Sequence, residues 1–133
     1  MKRVILDSSA LLTLFHNRPG ATKVEELIQL AVGRKRNLLL CAVNWGEIFY
    51  AVWRDRGPGH AHHILAKIAQ LPIAIIPADV ELTRRAAELK ANHKLPYVDC
   101  FAAAMAQLYK APLITSDSDF AAIAKQLTII WAT

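Results

Sequence analysis

The sequence predicts an α/β fold, an α/β/α sandwich with a central, mostly parallel five-stranded sheet. Short apolar runs rich in β-branched residues recur along the chain, and segments with helical spacing separate them. The runs lack the regular polar alternation of a sheet with one wet face, so helices are expected on both faces. The predicted strands span residues 3–6, 38–41, 73–76, 112–115 and 128–131.

The helices are predicted from apolar spacing and from the breaks between segments. Residues 21–32 have helical spacing of their apolar side chains, and Gly33 marks the stop. Asp79 is expected to cap a helix that runs to about Ala91, supported by Glu81–Arg85 and Arg84–Glu88 pairs. One further helix is predicted directly after the first strand, and three others span 44–53, 60–70 and 98–109. The side chains of the last helix that are expected to face the core are Val98, Phe101, Met105 and Leu108.

Length and composition limit the possible classes of protein. The 133 residues suit one compact domain, 1–133, and 54% hydrophobic with 20% charged residues is the balance of a globular protein. Asp7 interrupts the first apolar run too early for a secretory leader, and no apolar run approaches the roughly 18 residues of a membrane span. Cys41 and Cys100 form no C-x-x-C pattern, so neither a zinc site nor a disulfide framework is expected, and a cytoplasmic location fits.

Five of the eleven acidic residues occupy strand ends or apolar helix starts. Asp7 follows the first strand, and Asp117 and Asp119 follow the strand at 112–115. Parallel strands end at the same edge of a sheet, so these carboxylates should meet at the rim where open α/β sheets bind ligands. Glu47 and Asp99 lie among apolar residues, where a carboxylate without a partner is unfavourable. The acids expected at the surface are Glu25, Glu26, Asp55, Glu81 and Glu88.

Converging carboxylates raise one another's pKa unless a cation lies among them. Magnesium prefers oxygen ligands and needs only one or two direct carboxylates, because others act through its bound waters. The acidic set therefore predicts a site for Mg²⁺, with Mn²⁺ as a substitute.

Each acid also has a simpler structural interpretation. Asp7, Asp99 or Asp117 taken alone would most often cap a helix. Glu47 taken alone would be a buried ion-pair partner of a lysine or arginine. Capping does not explain all four acids together.

Four segments carry a resemblance to a known family: VILDSSAL at 4–11, VNWGE at 43–47, YVDCFAAA at 97–104 and LITSDSDF at 113–120. In this order and spacing they resemble the PIN-domain nucleases, and in particular the VapC-type ribonuclease toxins of toxin-antitoxin pairs. Asp7, Glu47, Asp99 and Asp117 match the family's acidic quartet, and Asp119 matches an additional acid often found beside it. Ser9 and Thr115 match its small polar positions.

The resemblance implies a Mg²⁺-dependent endoribonuclease that cleaves single-stranded or looped RNA. Asp7, Asp99 and Asp117 would hold the metal, while Glu47 and Asp119 would contact it through water or orient the nucleophile. The resemblance also implies a cognate antitoxin protein that inhibits the enzyme, and a homodimer.

Two other functions stay open. One is a different Asp-dependent phosphoryl-transfer enzyme, but a haloacid-dehalogenase-like phosphatase normally has a second Asp where Ser9 stands, and no acid adjoins Asp7 as in a phosphoreceiver domain. The other is a non-enzymatic RNA-binding module of the same fold, which would tolerate loss of the acids.

Basic and aromatic residues suggest partners less specifically. The formal net charge of +5 is compatible with a nucleic-acid partner. Arg84 and Arg85, opposite the apolar side of their helix, are candidates for RNA contact, and residues 34–36, 54 and 56 could also line the approach to the acids. Trp45, Phe49 and Trp53 repeat every four residues and form either core or a groove for a partner helix. The histidines expected to be solvent-exposed rather than metal-bound are His60, His62 and His63.

Overall fold

The computed structural model describes residues 2–133, and they form one five-stranded sheet with helices on both faces. The strands lie in the order β3-β2-β1-β4-β5, and every neighbouring pair is parallel. The strands are β1 (Lys2–Leu6), β2 (Arg36–Cys41), β3 (Ile73–Ile76), β4 (Leu113–Thr115) and β5 (Ile129–Trp131). The α/β/α sandwich is confirmed, and the sheet is wholly rather than mostly parallel.

Six α-helices connect the strands within residues 2–133. They are α1 (Ser8–Phe15), α2 (Ala21–Val32), α3 (Ala42–Arg56), α4 (Pro58–Ala69), α5 (Val80–Asn92) and α6 (Tyr97–Tyr109). Between β4 and β5 the segment Ser118–Gln126 forms 3-10 turns that meet at a kink at Ile123. The prediction for α2 matches at both ends, and the Asp79 side chain caps α5 by accepting from the Leu82 amide at 2.9 Å.

Two apolar cores lie on opposite faces of the sheet. Val4 and Leu6 of β1 face the core formed with α1 to α4, while Ile5 faces the core formed with α5 and α6. Strand β2 repeats this alternation, with Leu38 and Leu40 on the first face. Both faces of these central strands are therefore apolar, as expected for a parallel sheet covered on both sides.

Two sequence predictions about side-chain burial were wrong. Leu108 does not face the core but is 37% exposed, because α6 is buried around most of its circumference from Asp99 to Ala106 and emerges only in its last turn. His60 is half-buried instead of exposed, since its ring stacks on His16 at 6.2 Å between centroids. His62 and His63 are exposed as predicted.

The strand order places a switch point between β1 and β4. The chain proceeds outward from β1 through β2 to β3 on one side, and through β4 to β5 on the other. A crevice opens at the carboxyl ends of the strands where such a sheet reverses direction. Among residues 2–133, no helix combines the length and the apolar character required to cross a bilayer.

Candidate active site

Residues from four elements line one cavity at the carboxyl edge of the sheet. Asp7 follows β1 and Asp117 follows β4, so these two carboxylates flank the switch point. Glu47 reaches the cavity from α3, and Asp99 from the first turn of α6. The cavity has a volume of about 260 Å³, and four of the five acids predicted from the sequence line it, all except Asp119.

Three carboxylates lie close enough to share one ion. Asp99, Asp117 and Asp119 each place an oxygen within 4.8 Å of the other two. Asp7 lines the same cavity but is not a member of this trio. The predicted metal ligands Asp99 and Asp117 are thus together, and the third carboxylate of the trio is Asp119.

Asp7 is held in place by hydrogen bonds on both carboxylate oxygens. Thr115 Oγ1 donates to Oδ2 at 2.6 Å, Ser9 Oγ lies 2.8 Å from both oxygens, and the Ala10 amide donates to Oδ1 at 2.9 Å. Burial raises the pKa of Asp7 to about 6, although these bonds from Thr115, Ala10 and Ser9 lower it. The predicted polar positions Ser9 and Thr115 therefore hold the first acid in a fixed orientation.

Asp99 has no such support. Its side chain is 5% exposed, and among the described residues its Oδ2 atom has no hydrogen-bond partner. Burial, together with the negative charges of Asp117, Asp7, Glu47 and Asp119, raises the pKa of Asp99 to about 8, and burial is the largest cause. A buried carboxylate oxygen without a donor, next to two more carboxylates, is the donor set that a hard divalent cation prefers.

Helix capping accounts for part of the acidic set. Asp7 caps α1, and Asp117 caps the 3-10 segment by accepting from the Asp119 amide at 2.9 Å. Asp99 lies within the first turn of α6, where the preceding Pro96 is the N-cap and makes no side-chain cap bond. Capping therefore explains two acids, and the burial of Asp99 needs another cause.

A family model for the PIN domain matches residues 4–126 of the chain. The chain belongs to the PIN domain family. The resemblance inferred from the four acidic segments is confirmed at this level. A search of curated protein sequences found no match.

Solved structures support the same fold for this PIN domain. VapBC2 of Rickettsia felis, bound to a DNA fragment from its promoter, superimposes with a TM-score of 0.77 at 16% identity, covering 96% of this chain and 97% of that one. VapC20 of Mycobacterium tuberculosis, a toxin that cleaves the sarcin-ricin loop, gives 0.73 at 16% identity over 90% and 94%. A toxin-antitoxin complex from Klebsiella pneumoniae gives 0.69 at 21% identity, with 98% of each chain covered.

Asn44 of this PIN domain is a site residue that the sequence did not reveal. It is fully buried on α3, one turn before Glu47, and its Nδ2 donates to the Val98 carbonyl at 3.1 Å and to Ser8 Oγ at 3.4 Å. Ser8 Oγ in turn donates to the Asn44 carbonyl at 3.1 Å. Asn44 thus ties α3 to the immediate neighbours of Asp7 and Asp99. Its only sequence signal is an amide after an apolar run.

The mouth of the PIN-domain cavity is formed by Tyr50 and Arg54, one and two turns after Glu47 on α3. Tyr50 is 55% exposed, and Arg54 is exposed and paired with Asp55 at 3.0 Å. Arg84 and Arg85 do not line this cavity, because both pair with Glu81 on the outer face of α5 and Arg84 also pairs with Glu88.

One expectation about the basic residues was wrong. Residues 34–36 do not line the approach to the acids, because they directly precede or begin β2 and therefore lie at the amino edge of the sheet, opposite the cavity.

Proposed function

We propose that this PIN domain, taken as one domain over residues 1–133, is a Mg²⁺-dependent endoribonuclease of the VapC type. The observation that carries the proposal is the trio of Asp99, Asp117 and Asp119 beside the orphaned Asp99 oxygen. The PIN-domain match supports nuclease chemistry. The neighbour that cleaves the sarcin-ricin loop supports RNA as the substrate class.

The acidic residues would share the work of binding the ion and placing the nucleophile. Asp99, Asp117 and Asp119 would hold Mg²⁺, or Mn²⁺ as a substitute, with Asp7 contributing directly or through water. A divalent ion held by these carboxylates would supply activation of a water molecule and stabilisation of negative charge on the phosphate oxygens. Glu47, across the cavity, would orient the attacking water. Hydrolysis adds the water hydroxyl to phosphorus and delivers its proton to the leaving ribose oxygen.

The neighbouring polar residues would keep the acids in a productive geometry. Ser9 and Thr115 fix both oxygens of Asp7, and Thr115 Oγ1 also accepts from the Asp117 amide at 3.0 Å. A single threonine therefore contacts the residues on both sides of the switch point. Positioning of this kind is effective because small displacements of reacting groups reduce rates strongly.

RNA would approach the cavity past Tyr50 and Arg54. The ring of Tyr50 offers a stacking surface for an unpaired base, and Arg54 offers charge to a phosphate. Contact by Arg84 and Arg85 stays a prediction, and it requires RNA phosphates to compete with the acidic partners of both side chains.

We further propose that an antitoxin protein and a second copy of the chain bind this domain. Structural neighbours occur in toxin-antitoxin complexes. The aromatic stripe of α3 is only partly covered: Trp45 stacks on Phe49, and Phe49 meets His62 of α4, while Trp53 is 46% exposed. Light scattering of the purified chain tests the homodimer, and a monomeric mass at working concentration would exclude it.

The direct test is cleavage of mixed RNA with Mg²⁺, with excess EDTA and by the Asp7→Asn variant. Glu26→Gln, which removes an exposed acid on α2, is the matched control. Cleavage should require the metal, persist in Glu26→Gln and be lost in folded Asp7→Asn. Metal-free cleavage at the wild-type rate would sink the proposal. RNA binding without turnover at any Mg²⁺ or Mn²⁺ concentration would favour the non-enzymatic alternative.

A further inference from the structure

The amino edge of the sheet holds a second cleft, larger than the acidic cavity. Its volume is about 800 Å³, and it lies where β1 and β2 begin and α6 ends. The polar residues lining it are Lys2, Arg3, Arg36, Asn37, Tyr109 and Lys110. We propose that this cleft binds backbone phosphates of the RNA whose cleavage is proposed above, so the inference rests on that proposed function.

The cleft contains four cationic side chains and no acidic one. The ion pairs found within residues 2–133 involve Arg54, Arg84 and Arg85 instead. Lys2, Arg3, Arg36 and Lys110 thus have no acidic partner in the part of the chain described. Four cations around an open cleft attract a polyanion at long range.

The sheet register sets two of these cations against each other. Lys2 of β1 pairs directly with Arg36 of β2 in the parallel ladder. Like charges directly opposite one another on neighbouring strands are destabilising. An anion bound between them would relieve this repulsion.

Both arginines of the cleft are already held by the protein. The Arg3 guanidinium lies 5.1 Å from the centroid of the Tyr109 ring. Arg36 Nη1 donates to the Lys35 carbonyl at 2.8 Å, which leaves its other donors free for a ligand. Guanidinium groups fixed in this way lose less entropy when they bind phosphate.

The position of the cleft favours an extended polyanion over a small phosphate compound. The five steps from Lys2 to Asp7 at about 3.3 Å each place the two clefts roughly 17 Å apart. A carboxylate cavity repels phosphate, so an RNA held there gains affinity from cations elsewhere on the surface. A folded RNA can reach both edges of a domain this small, whereas a single nucleotide cannot.

The test measures binding without turnover, using a labelled RNA stem-loop in EDTA over a range of KCl concentrations. The test variant is Arg36→Gln with Lys110→Gln. The control is Lys67→Gln with Lys125→Gln, which removes equal charge outside both clefts. The test variant should bind at least about tenfold more weakly at low salt, and its salt slope should fall by about 1.5 to 2.

Equal affinity and equal salt slopes of the two double variants would overturn the proposal. Saturable binding of inorganic pyrophosphate that the test variant loses, with RNA affinity unchanged, would assign the cleft to a small phosphate compound and also overturn it. Lys2→Gln with Lys110→Gln, in which Arg36 keeps its bond to Lys35, replaces the test variant if that protein melts early. A protein that binds RNA through this cleft without cleaving any would refute the proposed function alone.

Discussion

At the carboxyl edge of the sheet, acidic side chains cluster around two buried carboxylates, whereas at the amino edge basic side chains line an open cleft. Asp7 and Asp99 are almost inaccessible, and Asp7 is fixed by bonds from three residues. Lys2, Arg3 and Lys110 are exposed. Each edge groups charges of one sign, but only at the acidic edge are some of these charges buried away from water.

The difference concerns how each edge tolerates its charge. Exposed cations are screened by water and salt, so they require little support from the fold. Buried carboxylates require hydrogen bonds, a proton or a metal ion, and Asp99 lacks the first of these. The carboxyl edge is therefore strained unless it is protonated or binds a cation, and the following experiments test that contrast.

The largest effect is expected for Asp99→Asn. Removing the central carboxylate should lower RNA cleavage by at least about a thousandfold, the scale seen when a catalytic group is lost. The same change should raise the thermal stability of the metal-free protein at pH 8, because a neutral amide replaces a buried charge that repels four others. A cleavage assay measures the loss of activity, and calorimetry in EDTA at pH 8 measures the gain in stability. A variant less stable than wild type under these conditions would contradict the claim that the buried carboxylates are strained.

The metal-free protein should lose stability as the pH rises. The pKa values of Asp7 and Asp99 are raised to about 6 and about 8, so the folded chain keeps protons that the unfolded chain releases above about pH 4. Stability then falls with increasing pH up to about 8. Melting in EDTA should be about 5 °C or more lower at pH 8 than at pH 5. Mg²⁺ should restore most of the melting temperature that is lost at pH 8 and should change it little at pH 5. A melting temperature in EDTA that does not vary with pH would refute the prediction.

Asn44 and Asn37 provide a matched pair from the two edges. Asn44→Ala removes the amide that joins α3 to Ser8 and Val98, and it should destabilise the fold by about 1–3 kcal/mol. Asn37→Ala, at the exposed amino edge, should change stability by less than about 0.5 kcal/mol.

The Asn44→Ala variant should also lower kcat at saturating Mg²⁺ while it remains folded, since Glu47 lies on the same helix. Equal effects of the two alanine variants on both stability and kcat would show that Asn44 has no positioning role.

The smallest effect is expected for Lys2→Gln. Removing one of two cations that face each other in the ladder should raise the free energy of unfolding by roughly 0.2–0.5 kcal/mol at low salt. The gain should vanish at high salt because the repulsion is screened. Urea titrations at two KCl concentrations measure it, and a loss of stability at low salt would show that Lys2 has a partner.

Local signals in the sequence predicted most of the fold. The apolar spacing of α2 and the cap of α5 at Asp79 depend only on residues within one or two helical turns, so the predicted bounds of these helices agree with the structure. The acids were identified because strand ends and apolar contexts are visible in the chain. Strand β2 begins at Arg36, two residues before the predicted start at residue 38, because the polar residues Arg36 and Asn37 give no apolar signal.

Features that depend on distant contacts could not be predicted in the same way. The partners of Asn44 are 36 and 54 residues away, and an isolated amide does not identify them. The basic cleft assembles Lys2, Arg36 and Lys110 only through the strand order. Leu108 has the helical spacing of a core residue, but α6 is buried on nearly all sides, so this spacing does not indicate which of its side chains face the core.

The central claim is that the acids of the carboxyl edge are compatible only when a proton or a divalent ion joins them. Calorimetric titration with Mn²⁺ near pH 7, repeated in buffers of different ionisation enthalpy, counts the protons released on binding. Because the pKa of Asp99 is about 8, saturable binding should release about one proton per ion, and Asp99→Asn should abolish that release. Absence of saturable binding, or binding with no proton released, would contradict the claim.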